Sequence, residues 1–257
     1  MEVHHHPHAS HSKKFKQYFL EFLMIFLAVT MGFFAESLRE HITENRKEKE
    51  YIAGIISDLR SDTAKLAHVI KFYDKIIPLM DSGRKNFYKL QQPGSLHTVG
   101  TIQVSLAGYQ DFIYTDITLQ QIRASGGMLL IKKKNAVDSI LNYDAKVKVA
   151  LINEKVLGDL LVSIQHEMGG LLNMQPLLET IGRQTDPVAR KAVADSLNKI
   201  QHGFLLTKDP VIYGRFYNDY TYYFSVASMV KMLMEDLHKR ATSTIIFLKK
   251  EYSVGDE

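Results

Sequence analysis

Residues 18–35 read YFLEFLMIFLAVTMGFFA, and this run decides what kind of protein the chain is. Glu21 is its only charged residue. A helix of about 17–25 predominantly apolar residues crosses the hydrocarbon core of a bilayer, so the run is just long enough to span. Tyr18 and Phe19 at one end and Phe33 and Phe34 at the other put rings where the headgroup boundary favours them. The competing readings are a buried core helix and a cleaved signal peptide with Lys13, Lys14 and Lys16 as its basic region. Cleavage fits poorly. Signal peptidase needs small residues before its cut, whereas Phe33 and Phe34 crowd the candidate at Ala35 and charged helix follows directly.

Residues 17–35 are therefore read as an uncleaved transmembrane helix in a single-pass protein of the cell inner membrane. Lys13, Lys14 and Lys16 nearly balance Arg39, Arg46, Lys47 and Lys49 across it, but the lysines lie closer to the apolar run. The positive-inside rule then keeps the N-terminus cytoplasmic and the larger domain extracytoplasmic. At about 100° per residue, Glu21, Ala28, Gly32 and Ala35 share one stripe, and Ala28 and Gly32 form a small-xxx-small pair suited to close helix packing. Glu21 lies within the first turn of the run, so snorkelling to the interface accounts for it. The functional reading is a pairing with a polar group on a partner helix.

Composition narrows the classes. With 32 basic and 28 acidic side chains interleaved and a net charge of +4, the chain shows no dedicated nucleic-acid surface. The absence of cysteine excludes disulfides, thiolate metal sites and cysteine nucleophiles. Hydrophobic content of 46% supports a genuine core.

Beyond the anchor, residues 36–80 repeat apolar groups at spacings of three and four, from Leu38 through Ile52, Leu59, Leu66 and Tyr73 to Ile77. TENRKEKE, residues 43–50, has no apolar side chain and predicts a solvated helical stalk. Glycines and Pro93 punctuate residues 81–108, an irregular insert in which 99–106 has room for one short strand. A helix is expected to begin near Thr115 or Asp116 and stop at Gly126 and Gly127. Another is expected from the capping-box-like Asn135 to Asp138. Asp186-Pro187 and Asp209-Pro210 each place a carboxylate cap before a proline, with Gly182 and Gly203 as stops, and a last helix is expected over 218–252. The predicted fold class is all-α: a single N-terminal transmembrane helix plus an elongated antiparallel helical bundle with a small irregular insert. Its divisions are a His-rich basic tail (1–16), the anchor (17–35), the stalk (36–50), the bundle (51–252) and a disordered tail (253–257).

Candidate chemistry is sparse. His4, His5, His6, His8 and His11 crowd into the tail and have the residue type to chelate a divalent metal, although a tail without carboxylate or thiolate partners holds metal loosely. His166-Glu167 is followed by Gly170 rather than histidine, so the HExxH zinc geometry is absent. Ser125-Gly126-Gly127 lacks the rest of a phosphate-binding loop and reads as a helix stop, with Lys132 to Lys134 as a solvated helix end. Neither a cofactor site nor an enzymatic motif is legible. Tyr213, Phe216, Tyr217, Tyr220, Tyr222, Tyr223 and Phe224 are too many rings for one helix stripe. Core packing is expected for most, and Tyr217, Tyr220, Tyr222 and Tyr223 are the candidate partner-binding patch.

EVHHHPH at residues 2–8, KKFKQYFLEFLMIFLAVTMGFFAESLREH at 13–41 and TLQQIRASGGMLLIKK at 118–133 resemble an uncharacterised family of bacterial single-pass membrane proteins of similar length. The resemblance implies the same topology and supplies no activity. The expected function is a non-enzymatic, membrane-anchored scaffold or accessory subunit of a membrane protein complex. Its expected partners are the lipid bilayer and either a second copy or another membrane protein, with no nucleic acid and no ligand identified. The alternatives are an ion-coupled transporter or motor subunit using Glu21, and an extracytoplasmic sensor.

Overall fold

The computed structural model describes residues 11–173, 175, 191, 192, 195 and 204–253. The histidines at 4, 5, 6 and 8, the Asp186-Pro187 start, the stops at Gly182 and Gly203 and residues 254–257 lie outside the described residues.

The periodic run after the anchor does continue it. Helix α1 spans His11–Lys85, 75 residues, or roughly 110 Å at about 1.5 Å per residue. Its two halves differ in what surrounds them. From Phe15 to Ile42 nearly every side chain is exposed, whereas Ile52, Ile55, Ile56, Leu59, Leu66, Val69, Tyr73 and Met80 are core. Helix α2 follows at Leu96–Ser105, α3 at Ile117–Ala124, α4 at Lys134–Leu171 and α5 at Pro210–Tyr252. Short 3-10 turns at Phe87–Gln91 and Gly127–Leu130 join them. The described residues contain no strand; Leu172 and Leu205 form one isolated antiparallel bridge.

Side-chain pairings give the register. Along α1 and α4, Lys132 meets Glu48 and Tyr143 meets Asp62, so the two helices rise together. Tyr213 meets Phe87, Lys231 meets Asp74 and Tyr252 meets Glu48, so α5 descends and brings its C-terminal end back to the anchor side. Residues 106–132 also descend: the Leu106 carbonyl accepts from Gln165, the Phe112 amide reaches Glu154, Thr115 reaches Asp62, Thr118 reaches Asp58 and Ser125 meets Tyr51. The architecture is an up-down-up-down bundle whose second rod is broken into α2, an extended strap over residues 107–116, and α3.

Several local expectations change. Residues 99–106 are helix, not strand, because Thr98, Val99, Ile102 and Ser105 bury at helical spacing against α1, which outweighs their β-branched composition. Helix α4 begins at Lys134 with no side-chain cap, so the Asn135 to Asp138 box does not form. Asp209 does cap α5, accepting from the Val211 amide at 2.8 Å, and the helix runs unbroken from Pro210 through the start expected at 218. The stalk is not wholly solvated. Glu48 is buried, receiving the Lys132 amide and the Tyr252 hydroxyl, each at 2.8 Å, while Lys132 also reaches Asn45.

Candidate functional site

The strap creates a physical problem. An extended segment inside a helical bundle has amides with no helical or sheet partner, and each left buried and unpaired costs free energy. Carboxylates from the flanking helices meet that need. Glu154 on α4 accepts from the Phe112 amide and Asp62 on α1 from the Thr115 amide, each at 2.8 Å. Asp58 accepts from the Thr118 amide at 2.8 Å, standing in for Asp116, whose own side chain makes no cap bond at the start of α3. Tyr143 donates its hydroxyl to Asp62 at 2.9 Å. Asp144 accepts from Arg123 at 2.7 Å, Lys148 at 2.9 Å and the Tyr114 hydroxyl at 3.2 Å. Lys65 caps the arrangement by donating to the Thr115 hydroxyl.

Electrostatics separate these acids. Burial alone would raise Asp144, but the bonds from Lys148 and Arg123 hold it below the ordinary aspartate value. Burial pushes Asp62 up, partly offset by its bonds from Thr115 and Tyr143. Burial also pushes Glu154 up to about 7, the Phe112 amide opposing and the nearby Asp111 reinforcing the rise. Around it, burial raises the Tyr73 phenol, and the Glu154 charge adds to that.

A folded-state value of about 7 against an ordinary 4.5 means the folded chain holds an extra proton at Glu154 between those pH values. The group's contribution to stability is full below pH 4.5 and is lost as pH rises through 7. Glu154→Gln keeps an acceptor for Phe112 and stays neutral. The variant is expected to be more stable than wild type at pH 8 by on the order of 2 kcal/mol, with little difference at pH 5. Urea denaturation followed by circular dichroism at the two pH values checks this.

Perturbed carboxylates are what an active site shows, yet Asp62, Asp144 and Glu154 are each occupied by backbone, a hydroxyl or a cation, while burial and the neighbouring Asp219 raise Glu167, further along α4. Among the described residues no group of three His, Cys, Asp or Glu side chains converges in a way that holds a metal. The space beside the strap, lined by Ile55, Asp58, Tyr114 and Tyr143, measures about 20 Å³, below the volume of a substrate. A larger polar cleft of about 330 Å³ opens between α4 and α5 at Asp138, Asn142, Arg240 and Ser243. The Arg240 guanidinium there is held by Asp236 at 2.6 Å.

The expected aromatic patch dissolves into the core. Phe216, Tyr220 and Tyr223 are buried, and Tyr217 packs partly buried against Phe87 with ring centroids 5.1 Å apart. Tyr220 shares a 2.7 Å hydrogen bond with Ser105 and reaches the Met80 carbonyl. Gly83 makes room for it, since a Cβ there would stand 2.5 Å from the Tyr220 hydroxyl oxygen. Of the four candidate residues, Tyr222 alone is exposed, at 55%. The Ser125 to Gly127 stop does form: Ser125 caps α3 and Gly126 is left-handed, with φ +67°.

On the anchor, Glu21, Ala28, Gly32 and Ala35 are all exposed. A Cβ built on Gly32 meets nothing within 4 Å. The helix is long and apolar enough to cross a membrane, and its most apolar window is 0% buried within the chain. His11 is the first described residue of α1; the other tail histidines lie outside the described residues.

No protein-family model, curated protein or solved structure matches this chain.

Proposed function

We propose that the chain is a single-pass, membrane-anchored scaffold or accessory subunit of a membrane protein complex, without catalysis of its own. One observation carries the reading: a single helix has an apolar half with no partner among the described residues and a second half that forms the spine of a bundle. Such a helix transmits its position in lipid directly to the soluble domain, with no hinge between them. A core helix of a soluble protein would bury its apolar window, and this one buries none of it. Glu48, Asp58, Asp62 and Glu154 serve the bundle's own backbone, which suits a structural part better than a catalyst. Helix α4 also leaves Val149, Ile152 and Val156 exposed at spacings of three and four, a lateral face of the kind that subunits cover. The basic residues nearest the anchor favour an extracytoplasmic bundle at the inner membrane.

A scan of single cysteines along residues 20–35 in native membranes tests assembly through the anchor. Crosslinks are expected to cluster at Ala28, Gly32 and Ala35; a uniform distribution contradicts close packing on that stripe. Mass spectrometry of what copurifies in mild detergent then separates a homo-oligomer from a heteromeric complex.

A second reading rests on Glu21, whose carboxylate meets no hydrogen-bonding or ion-pairing side chain among the described residues. In it, Glu21 takes part in ion-coupled work within a larger complex, as in a transporter or motor subunit. Glu21→Gln with assembly intact and ion-dependent activity of the complex lost favours this second reading. Unchanged activity favours the scaffold.

A further inference from the structure

Among the large hydrophobic side chains described, Leu129 is the most exposed, at 90%. It sits in the 3-10 turn Gly127–Leu130, where the descending rod turns into α4 at the anchor-side end of the bundle. Gly127 is pressed against the Tyr51 ring, which braces the turn from behind, with Leu129 exposed and Leu130 half-buried. Leu130 borders a groove of about 400 Å³ shared with Glu36, Arg39, Glu40, Thr43, Glu44 and Lys47, the residues of α1 just beyond the apolar run. Among the described residues Leu129 stands almost wholly in solvent, and with the half-buried Leu130 it makes a small apolar tip at this end of the bundle.

The same end of the bundle is rich in cations. Lys132, Lys133 and Lys134 follow the turn directly, Arg46, Lys47 and Lys49 stand beside it on α1, and Lys249 and Lys250 end α5. Lys132 reaches Glu44, Lys133 reaches Glu251 and Arg46 reaches Glu50, and Glu36, Glu40 and Glu48 also lie at this end, so with Arg39 nine cations face six acids among the described residues.

We infer that the Leu129-Leu130 turn and its lysine collar form a second membrane contact, resting on the anionic headgroup layer of the leaflet from which α1 emerges. The inference rests on the anchor reading proposed above. Distances permit it. The Lys132 amide is level with Glu48, but its ammonium reaches down to Glu44, nine positions past Ala35 and roughly 13 Å of helix rise, and Leu130 borders the groove that continues to Glu36. The headgroup layer covers about 5–8 Å of that. A tilt of about 20°, ordinary for a membrane helix, lowers a point about 10 Å off the axis by a further 3 Å or so, and the leucine side chain covers the remainder. The surrounding lysines supply the attraction that anionic lipid gives to juxtamembrane basic residues. Two attachments, anchor and turn, fix the tilt and rotation of the bundle where one helix alone would leave them free.

The natural chain has no cysteine, so single labels are clean. Full-length Leu129→Cys, Val162→Cys and Phe26→Cys, each carrying an environment-sensitive fluorophore, are reconstituted in vesicles of phosphatidylcholine alone or with about a third phosphatidylglycerol. Quenching is read with headgroup spin-labelled and chain spin-labelled lipid. Val162, exposed high on α4, reports background. Phe26 reports the anchor. The expected result is quenching of the Leu129 label by headgroup-labelled lipid, roughly twofold or more stronger in the anionic vesicles, with the Val162 label unaffected. Leu129 quenching absent or independent of lipid charge, with Phe26 quenched, overturns the headgroup contact and leaves the anchor standing. A Leu129 label shielded from water but not quenched indicates a protein neighbour, and also overturns it. An unquenched Phe26 overturns both readings.

Discussion

Asp62→Ala is expected to destabilise the bundle by about 3–4 kcal/mol, enough to remove a large part of a typical domain's stability. Asp62 is 0% exposed and serves two donors at once, the Thr115 amide and the Tyr143 hydroxyl. Alanine leaves both buried and unpaired, and each orphaned group costs about 1–3 kcal/mol. Asp62→Asn retains one acceptor oxygen for Thr115, and the Tyr143 hydroxyl can turn to accept from the new amide, so about 1 kcal/mol is expected there. Hydrogen exchange of the full-length chain in nanodiscs locates the effect. The alanine variant should lose protection first at the strap amides of Phe112 and Thr115, while the α5 amides near Val230 exchange only with global unfolding. Unchanged strap protection would show that the carboxylates do not hold this segment.

Tyr220→Ala is the second large expected loss, about 3–5 kcal/mol. The ring is fully buried and stacked on Phe216 with centroids 6.2 Å apart. Its hydroxyl ties α5 to α2 through Ser105 and to α1 through the Met80 carbonyl. Truncation therefore leaves a cavity where three helices meet and removes one of the two partners of the buried Ser105 hydroxyl, which keeps the Ile102 carbonyl. Tyr222→Ala, two residues away and exposed, should change stability by no more than about 0.5 kcal/mol. The contrast, measured by thermal denaturation of the two variants, distinguishes a core aromatic cluster from a surface recognition patch. Equal small effects would restore the patch.

The long-range plan was legible because its signals are strong and local: an apolar run flanked by rings, a sustained period of three and four, and an aspartate before a proline at 209 and 210. The broken second rod was not. Residues 99–106 combine β-branched side chains with helical burial, and only their neighbours decide between the two. The carboxylate row did leave a trace. Glu48 and Asp62 on α1, and Asp144 and Glu154 on α4, stand at positions in register with buried Ile52, Leu59, Leu66, Val147 and Leu157. An acid on an apolar stripe signals that something polar will be buried against it. Which amide it receives depends on how the strap lies, and one-dimensional spacing does not carry that. The aromatic cluster is only partly legible for a related reason. Its rings outnumber one stripe of α5, but Phe87, α2 and α1 line several sides of that helix, so more than one stripe is covered.

The account as a whole depends on the first half of α1 lying in lipid while the second half carries the bundle. Alkaline carbonate extraction of membranes expressing the full-length chain tests this most directly. The chain is expected to stay in the pellet at high pH and to leave it only with detergent, because an apolar helix surface with no partner among the described residues favours lipid over water. Release into the carbonate supernatant as a folded, monodisperse species would contradict it.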